Sequence, residues 1–548
     1  MRRSFCVFAA LLHDHKVAMH NSKLISDFKE WKFHYPPSYA QLPIDCNPEY
    51  NQPIAVKNAV FSEVPTEPIT GKLRLVCASE DALTEILDLD PKVEKTNEFI
   101  HFIAGAYLPE GGLTVSHRYG GYQFGYWADQ LGDGRAHILG EYINRKGESW
   151  QLQLKGSGET PYSRFGDGRA VLRSSIREMV ASEACHHLGI PTTRAAALVA
   201  SDEATVWRDA AYSGRARQER AAVLLRLAPA WYRLGSFEIL YKRAEHDLMR
   251  KLADFVIEHH FPKIDAADED RYVKWFSEVA HTNLDMVATW QGFGFTHGVL
   301  NTDNISLLGL TIDYGPFGFI DHYYEHYVPN SSDDMGRYAF NKQPDIILWN
   351  LEKFAEAITP ILTEEQMKKI QDIRATLEQY VKDKILKTYL LKLGLQEIKD
   401  GDDALVKDLL QIMQDQAADF TATFRQLAEI EVDKLNEEIE ESHWSLRKLV
   451  KSPRWGPWVQ RYKERLLEGN VTERSRRERM LRANPLYVPR SWVLHEAVAD
   501  AETNDFIKVR LLLEIFKNPY EVNEDAEMLG YSSQPPNWSY GLKLSCSS

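Results

Sequence analysis

The sequence predicts an α+β protein of two lobes, the first glycine-rich and built on short strands, the second mainly helical. Three observations predict it. The chain has 548 residues, far more than the roughly 150 that one domain core needs. Residues 150–155, Trp-Gln-Leu-Gln-Leu-Lys, alternate apolar and polar side chains with the period of a half-buried strand. Residues 231–445 read as helices, interrupted near 292–345 by a segment rich in Gly and Asp. The expected layout is an N-terminal extension at 1–54, an N-lobe with nucleotide-binding loops at 55–230, a C-lobe with catalytic and metal-binding loops at 231–445, and a C-terminal extension at 446–548.

Composition excludes several classes. The chain is 44% hydrophobic, too apolar for a disordered protein. Its 65 Lys and Arg against 79 Asp and Glu give a net charge of −14, which argues against broad nucleic-acid binding. The five cysteines, at 6, 46, 77, 185 and 546, form no CxxC pair, so neither a zinc site nor a disulfide framework is expected. No stretch reaches the roughly 18 apolar residues of a membrane span. Arg2 and Arg3 before the apolar run Phe5 to Leu12 suit an organelle-import signal or a plain extension.

The candidate site assembles along the chain. Gly132, Gly134 and Arg135 lie in Leu-Gly-Asp-Gly-Arg, either an ordinary turn or a loop that lays N–H groups and a guanidinium against phosphate. No GxxxxGK[ST] occurs, which excludes a Walker-type loop. Lys155 ends the strand on its polar side, and Gly156 and Gly158 terminate it. A helix is predicted over 170–188, with an apolar stripe of Val171, Leu172, Ile176, Met179 and Val180 and a stop at Gly189 and Pro191. Glu178 sits beside that stripe. A strand Lys followed by a helix Glu is how protein kinases orient nucleotide phosphates. Arg226, in an apolar strand, and Arg233, seven residues on, suit a buried anion or a structural carboxylate pair.

Segment 295–315 resembles the catalytic core of small-molecule kinases: His297 and Gly298, then Asn304, two short strands at 305–308 and 310–312, and Asp313. Where the catalytic base Asp belongs, this chain has Val299. Asn304 and Asp313 supply oxygen ligands for magnesium, while the base for ordinary phosphotransfer is lost. Asp303 is a carboxylate that can serve as a relocated base, or as a loop cap.

These motifs, with Tyr119 to Gly125, Thr160 to Arg164, Gly166 to Ser174, His297 to Asn304 and the ending Ser545 to Ser548, are similar to the selenoprotein O family. The resemblance implies a two-lobed protein-kinase-like fold. It implies a protein adenylyltransferase, a pseudokinase by descent, that binds ATP in flipped orientation and moves AMP to Ser, Thr or Tyr hydroxyls. It implies Lys155, Arg226 and Arg233 on the inward-facing terminal phosphate, with Glu178 orienting Lys155. Gly132, Gly134, Arg135, Asp167, Gly168 and Asp313 would meet nucleotide. Asn304 and Asp313 would bind Mg²⁺ or Mn²⁺, and Asp303 would be the base. A flipped ATP also removes the need for a base at Val299. The expected partners are ATP and hydroxyl-bearing proteins, with no nucleic acid, no membrane insertion and a monomeric chain. Eukaryotic relatives imply a mitochondrial location, with the cytoplasm as alternative. Bacterial members can bridge the third-last residue, here Cys546, to a cysteine in the activation segment. Pro329 stands at that place in 327–333, so redox sensing by Cys546 lacks that partner. The other function classes are an inactive nucleotide-binding scaffold, against which Lys155, Glu178, Asn304 and Asp313 argue, and a phosphotransferase, against which Val299 argues.

Two further helices are predicted, at 364–393 with a capping box of Thr363 and Gln366, and at about 403–440. Cluster 473–482 reads as a solvated helix face, and Trp444, Trp455, Trp458 and Trp492 as packing residues.

Overall fold

The structure, a computed structural model, describes residues 23–34, 36–46, 54–209, 214–542 and 544–545. The proposed import signal, Cys6 and Cys546 lie outside the described residues. The fold is mixed α+β. Among the described residues the main sheet has nine strands: β1 Ile44–Asp45, β2 Phe61–Glu63, β3 Leu73–Ala78, β4 Val115–His117, β7 Ala136–Ile143, β8 Ser149–Lys155, β9 Ala170–Val171, β10 Arg194–Arg208 and β11 Arg217–Ala228. Between β4 and β7 a separate hairpin forms from β5 Gly120–Gln123 and β6 Tyr126–Gln130. The main order is β1-β2-β4-β7-β8-β11-β10-β3, with β9 on β11. Among the described residues of this sheet, only the β1–β2 pair is parallel.

β8 lies centrally, between β7 and β11. Its Leu152 and Leu154 enter an apolar core with Val223, Leu225 and the aromatic trio Phe28, Trp31 and Phe33. The sequence predicts a half-buried strand; here Gln151 and Gln153 are buried as well. A central strand has cover on both faces, and the polar face of β8 lies beneath the candidate site.

The helix predicted at 170–188 is Leu172–Leu188, ended by Gly189 at φ 83°, the left-handed conformation that favours glycine. Taking the short helices Pro37–Gln41 and Asn97–Ile103 as α1 and α2, it is α3. It packs on β10 and β11 and on the helix Ile507–Lys517. Burial on several sides explains why Arg177, Glu178 and Glu183 are all buried.

The helical part continues with α4 Leu234–Lys242, α5 His246–His260, α6 Arg271–Phe293, α7 Gln343–Ala357, α8 Glu364–Lys392, α9 Asp402–Asp415 and α10 Phe420–Glu429. Thr363 and Gln366 close the predicted capping box on α8. The single helix predicted over 403–440 is instead two helices and a short 3₁₀ turn. Ala417 takes φ 46°, and the buried Asp419 caps α10 by accepting the Ala422 N–H at 2.8 Å. Arg490 fixes that cap from 71 residues away, donating to both Asp419 oxygens at 2.8 and 2.9 Å.

The strands predicted at 305–308 and 310–312 do not form either. Their backbone groups pair elsewhere: Leu307 N–H donates to Tyr232 O, Leu234 N–H to Ile305 O, and Thr311 N–H to Pro191 O. Ser306 and Thr311 keep only isolated bridges, to Arg233 and Thr192. Near the end of the chain, Leu544 bridges Asn330, beside Pro329, and accepts the Ser331 N–H at 2.9 Å. No helix of the described residues is long and apolar enough to cross a membrane.

Candidate active site

A cleft of about 310 Å³ opens over the polar face of β8. Gly132, Gly134, Arg135, Lys155, Asp167, Gly168, Glu178, Arg226, Arg233, Asn304 and Asp313 line it, whereas Asp303 does not. Sheet register explains the first cluster. Arg226 on β11 lies directly opposite Gln153 on β8, two residues before Lys155, so both cations share one face. Glu178 reaches the same face from α3. Lys155 Nζ lies 2.6 Å from Glu178 Oε2, and Arg226 Nη1 lies 2.9 Å from Glu178 Oε1. The predicted strand-lysine and helix-glutamate pair therefore forms, with Arg226 as a third member.

Asp313 closes the cluster from the helical side. Its backbone is left-handed, φ 57°. Arg226 Nη1 donates to Oδ1 at 2.6 Å, Arg233 Nη1 donates to Oδ2, and Lys155 Nζ stands 4.0 Å from Oδ1. Both guanidiniums are almost wholly buried, with 3% and 2% of their side chains exposed. Arg226 lies 4.7 Å over the Trp231 ring and Arg233 lies 4.5 Å over Tyr119. Burial would raise the Asp313 carboxyl, but Arg233, Arg226 and Lys155 hold it well below the usual carboxylate range. Burial lowers the Lys155 ammonium, and Glu178 opposes that shift. Three cations thus converge in a low-dielectric cleft, neutralised by the protein's own carboxylates.

The glycines let the backbone in. A Cβ on Gly168, at φ 66°, would sit 2.1 Å from the Gly158 carbonyl carbon, and one on Gly132, at φ 132°, 2.4 Å from the Tyr162 ring. Asp167 gives both carboxylate oxygens to Arg208, each at 2.7 Å, so it shapes the loop through that pair. Arg208, at the end of β10, lines the cleft too.

The catalytic-loop segment is set by buried polar contacts. His297 Nε2 bonds the Ile312 carbonyl at 2.8 Å, tying the loop to the turn that carries Asp313. Thr302–Asn304 form a 3₁₀ turn. Asn304 Nδ2 donates to Val299 O at 3.1 Å, which leaves its amide oxygen as the donor available to a cation. Among the described residues no group of three or more His, Cys, Asp or Glu suits a metal. Asn304 and Asp313 fit magnesium in another way: it commonly takes one or two protein oxygens and completes its shell with water and substrate phosphate.

Asp303 lies apart from the cleft lining. Its carbonyl accepts Arg233 Nη1 at 2.7 Å, but its carboxylate packs against β5, and the residue as a whole is 6% exposed. Burial pushes that carboxyl up to about 6, against the pull of Arg233 and Gln123.

Asp133 and Gln153 complete the site and carry little signal in the sequence. Asp133 hides between two turn-forming glycines, yet it is buried, stands 3.6 Å from Arg233 Nη2 and accepts Gln153 Nε2 at 2.9 Å. Gln153 also accepts Arg226 Nη2. Its place two residues before Lys155 on the same face is the one cue the sequence offers.

The remaining described cysteines, Cys46, Cys77 and Cys185, are free thiols. Burial pushes Cys77 and Cys185 up to about 12, which makes both unreactive.

Residues 47–517 match the family described as protein adenylyltransferase SelO. The protein nucleotidyltransferase YdiU of Pseudomonas aeruginosa (strain LESB58) is 42% identical over 494 residues, covering 89% of this chain and 96% of the relative. Proteins of the same name from Pseudomonas fluorescens (strain Pf0-1) and Xanthomonas campestris pv. campestris (strain B100) are 40% and 39% identical, covering 90% and 93% of this chain and 96% and 98% of the relatives. These relatives are bacterial and lend no support to a mitochondrial location. The chain belongs to the protein adenylyltransferase SelO family.

Proposed function

We propose that this protein transfers AMP from ATP to Ser, Thr or Tyr hydroxyls of other proteins, from a two-lobed kinase-like body whose lobes are 55–230 and 231–445. The observation that carries this reading is the pairing of Val299 with a deep triple-cation cluster. Lys155, Arg226 and Arg233 suit the terminal phosphates of an ATP bound inward, and no carboxylate stands where a base for γ-phosphoryl transfer belongs. The α-phosphorus then faces the cleft mouth. Asn304 and Asp313 would hold Mg²⁺ or Mn²⁺, which supplies charge neutralisation at phosphate oxygens.

In the transfer itself, the acceptor hydroxyl gives its proton to Asp303 as its oxygen attacks the α-phosphorus. The bond from that phosphorus to the α–β bridging oxygen breaks, and pyrophosphate leaves against Lys155, Arg226 and Arg233. Arg226 and Arg233 are rigid planar donors suited to phosphate, and Glu178 keeps Lys155 aimed. Asp133 and Gln153 keep the guanidiniums from turning.

Labelled ATP tests the reaction. With Mg²⁺ present, label from the α position on acceptor protein and none from the γ position is expected. Label from γ alone refutes AMP transfer in favour of a phosphotransferase, and label from neither favours a nucleotide-binding scaffold.

A further inference from the structure

The segment Tyr119 to Gly125 does more than resemble a family motif. Its strand β5 runs along the loop that carries Asp303. Tyr122 N–H donates to Thr302 Oγ1 at 2.8 Å, and Phe124 N–H donates to Asn301 Oδ1 at 3.2 Å and to the Tyr338 hydroxyl at 2.9 Å. Gly120 fixes the other end: a Cβ on Gly235 at the start of α4 would sit 2.1 Å from the Gly120 oxygen. Held this way, β5 turns Gly121 and Gln123, two residues apart on one face, toward the Asp303 carboxylate. Gln123 Nε2 donates to Asp303 Oδ2 at 3.3 Å. On the other oxygen, a Cβ on Gly121 would lie 2.5 Å from Oδ1. Oδ1 is buried and has no hydrogen-bond partner among the described residues.

The geometry points to Gln123 as a positioning residue for the transfer reaction: it engages Asp303 Oδ2 while the Gly121 backbone packs closely against Oδ1, so the two fix the orientation of the carboxylate that takes the acceptor proton. This rests on the reading of Asp303 as the base. A carboxylate with one oxygen tied and one unsatisfied cannot rotate without losing its only side-chain hydrogen bond. The acceptor proton moves to the Asp303 carboxylate, the acceptor oxygen bonds to phosphorus, and pyrophosphate carries away the electron pair of the broken bond. Gln123 itself transfers nothing.

The test is a double-mutant cycle with α-labelled ATP, bulk casein as acceptor and a separate measurement of ATP binding. Gln123→Ala is expected to lower kcat about tenfold with ATP affinity unchanged. Gln123→Glu keeps size and shape but loses the donor, and it is expected to fall at least as far. Adding Gln123→Ala to Asp303→Ala is expected to cost nothing more, because the residue acts through that carboxylate. Full activity in Gln123→Glu, or losses that add in the double variant, overturns the proposal in favour of a packing role. Full activity in Asp303→Ala removes the base itself, and so refutes the underlying reading; an inactive Asp303→Ala beside a fully active Gln123→Ala refutes the positioning alone.

Discussion

Asp313 pairs with the cations that the proposed function assigns to phosphate. Its two oxygens take the Arg226 and Arg233 guanidiniums that the proposed function assigns to ATP, and Lys155 stands 4.0 Å away. A polyphosphate arriving without a metal must displace Asp313 from both arginines and then lie beside its charge. Asp313→Asn isolates this effect. It removes the charge, keeps the size, and places asparagine at φ 57°, where that residue is tolerated. Breaking a buried ion pair by removing one partner costs about 3–5 kcal/mol, so the ligand-free variant is expected to melt lower. The same uncompensated arginines attract phosphate more strongly. One charge-assisted hydrogen bond regained contributes about 1.5–3 kcal/mol, which is about tenfold or more in affinity. Metal-free ATP is therefore expected to bind the variant about tenfold tighter than the native chain, and to restore much of the lost melting temperature. Transfer activity is expected to vanish. Titration calorimetry in chelator, paired with thermal melts with and without ATP, reads both effects. Metal-free affinity that is unchanged or weaker, in a variant that still folds, refutes the idea that Asp313 stands in for phosphate.

Arg226→Ala is expected to lose ATP affinity and to destabilise the protein, since Glu178 and Asp313 keep their charges with less compensation; unchanged ATP binding by fluorescence titration refutes the phosphate role. Gly168→Ala places a methyl against the Gly158 backbone, so the loop between β8 and β9 is expected to shift, with ATP binding lost at least in part; full affinity shows that the loop does not shape the site. The Lys392 ammonium lies against the Phe293, Phe420 and Phe424 rings, with Phe424 at 4.4 Å, and burial lowers its pKa from the ordinary 10.5 to about 7. The unfolded chain therefore binds the extra proton across that window, and the Lys392 contribution to stability rises with pH from about 7 to 10.5. Lys392→Met is expected to raise stability at neutral pH and flatten that rise; chemical denaturation at several pH values checks both.

Much of the site is legible in the sequence because local chemistry dictates it. The alternation at 150–155 fixes a strand with Lys155 on its polar side, and the stripe and glycine stop of α3 fix a helix that carries Glu178. The spacing from His297 to Asn304 and Asp313, with Val299 within it, is likewise readable along the chain. These features depend on neighbours a few residues apart, where periodicity and capping decide. Only the tertiary structure decides the rest. Asp133 gains its role because Arg233, 100 positions along the chain, folds back over it beneath Tyr119. The strands expected at 305–312 give way because Tyr232, Pro191 and the start of α4 supply backbone partners that the local sequence does not announce. The helix expected over 403–440 breaks because Arg490 pins Asp419 as a cap. Asp303 stands out in the sequence only as a carboxylate beside Asn304. Its orientation, with one oxygen on Gln123 and the other under Gly121, comes from a strand 180 residues earlier. Contacts that distant obey burial and hydrogen-bond satisfaction, which act on the folded whole and leave no period in the chain.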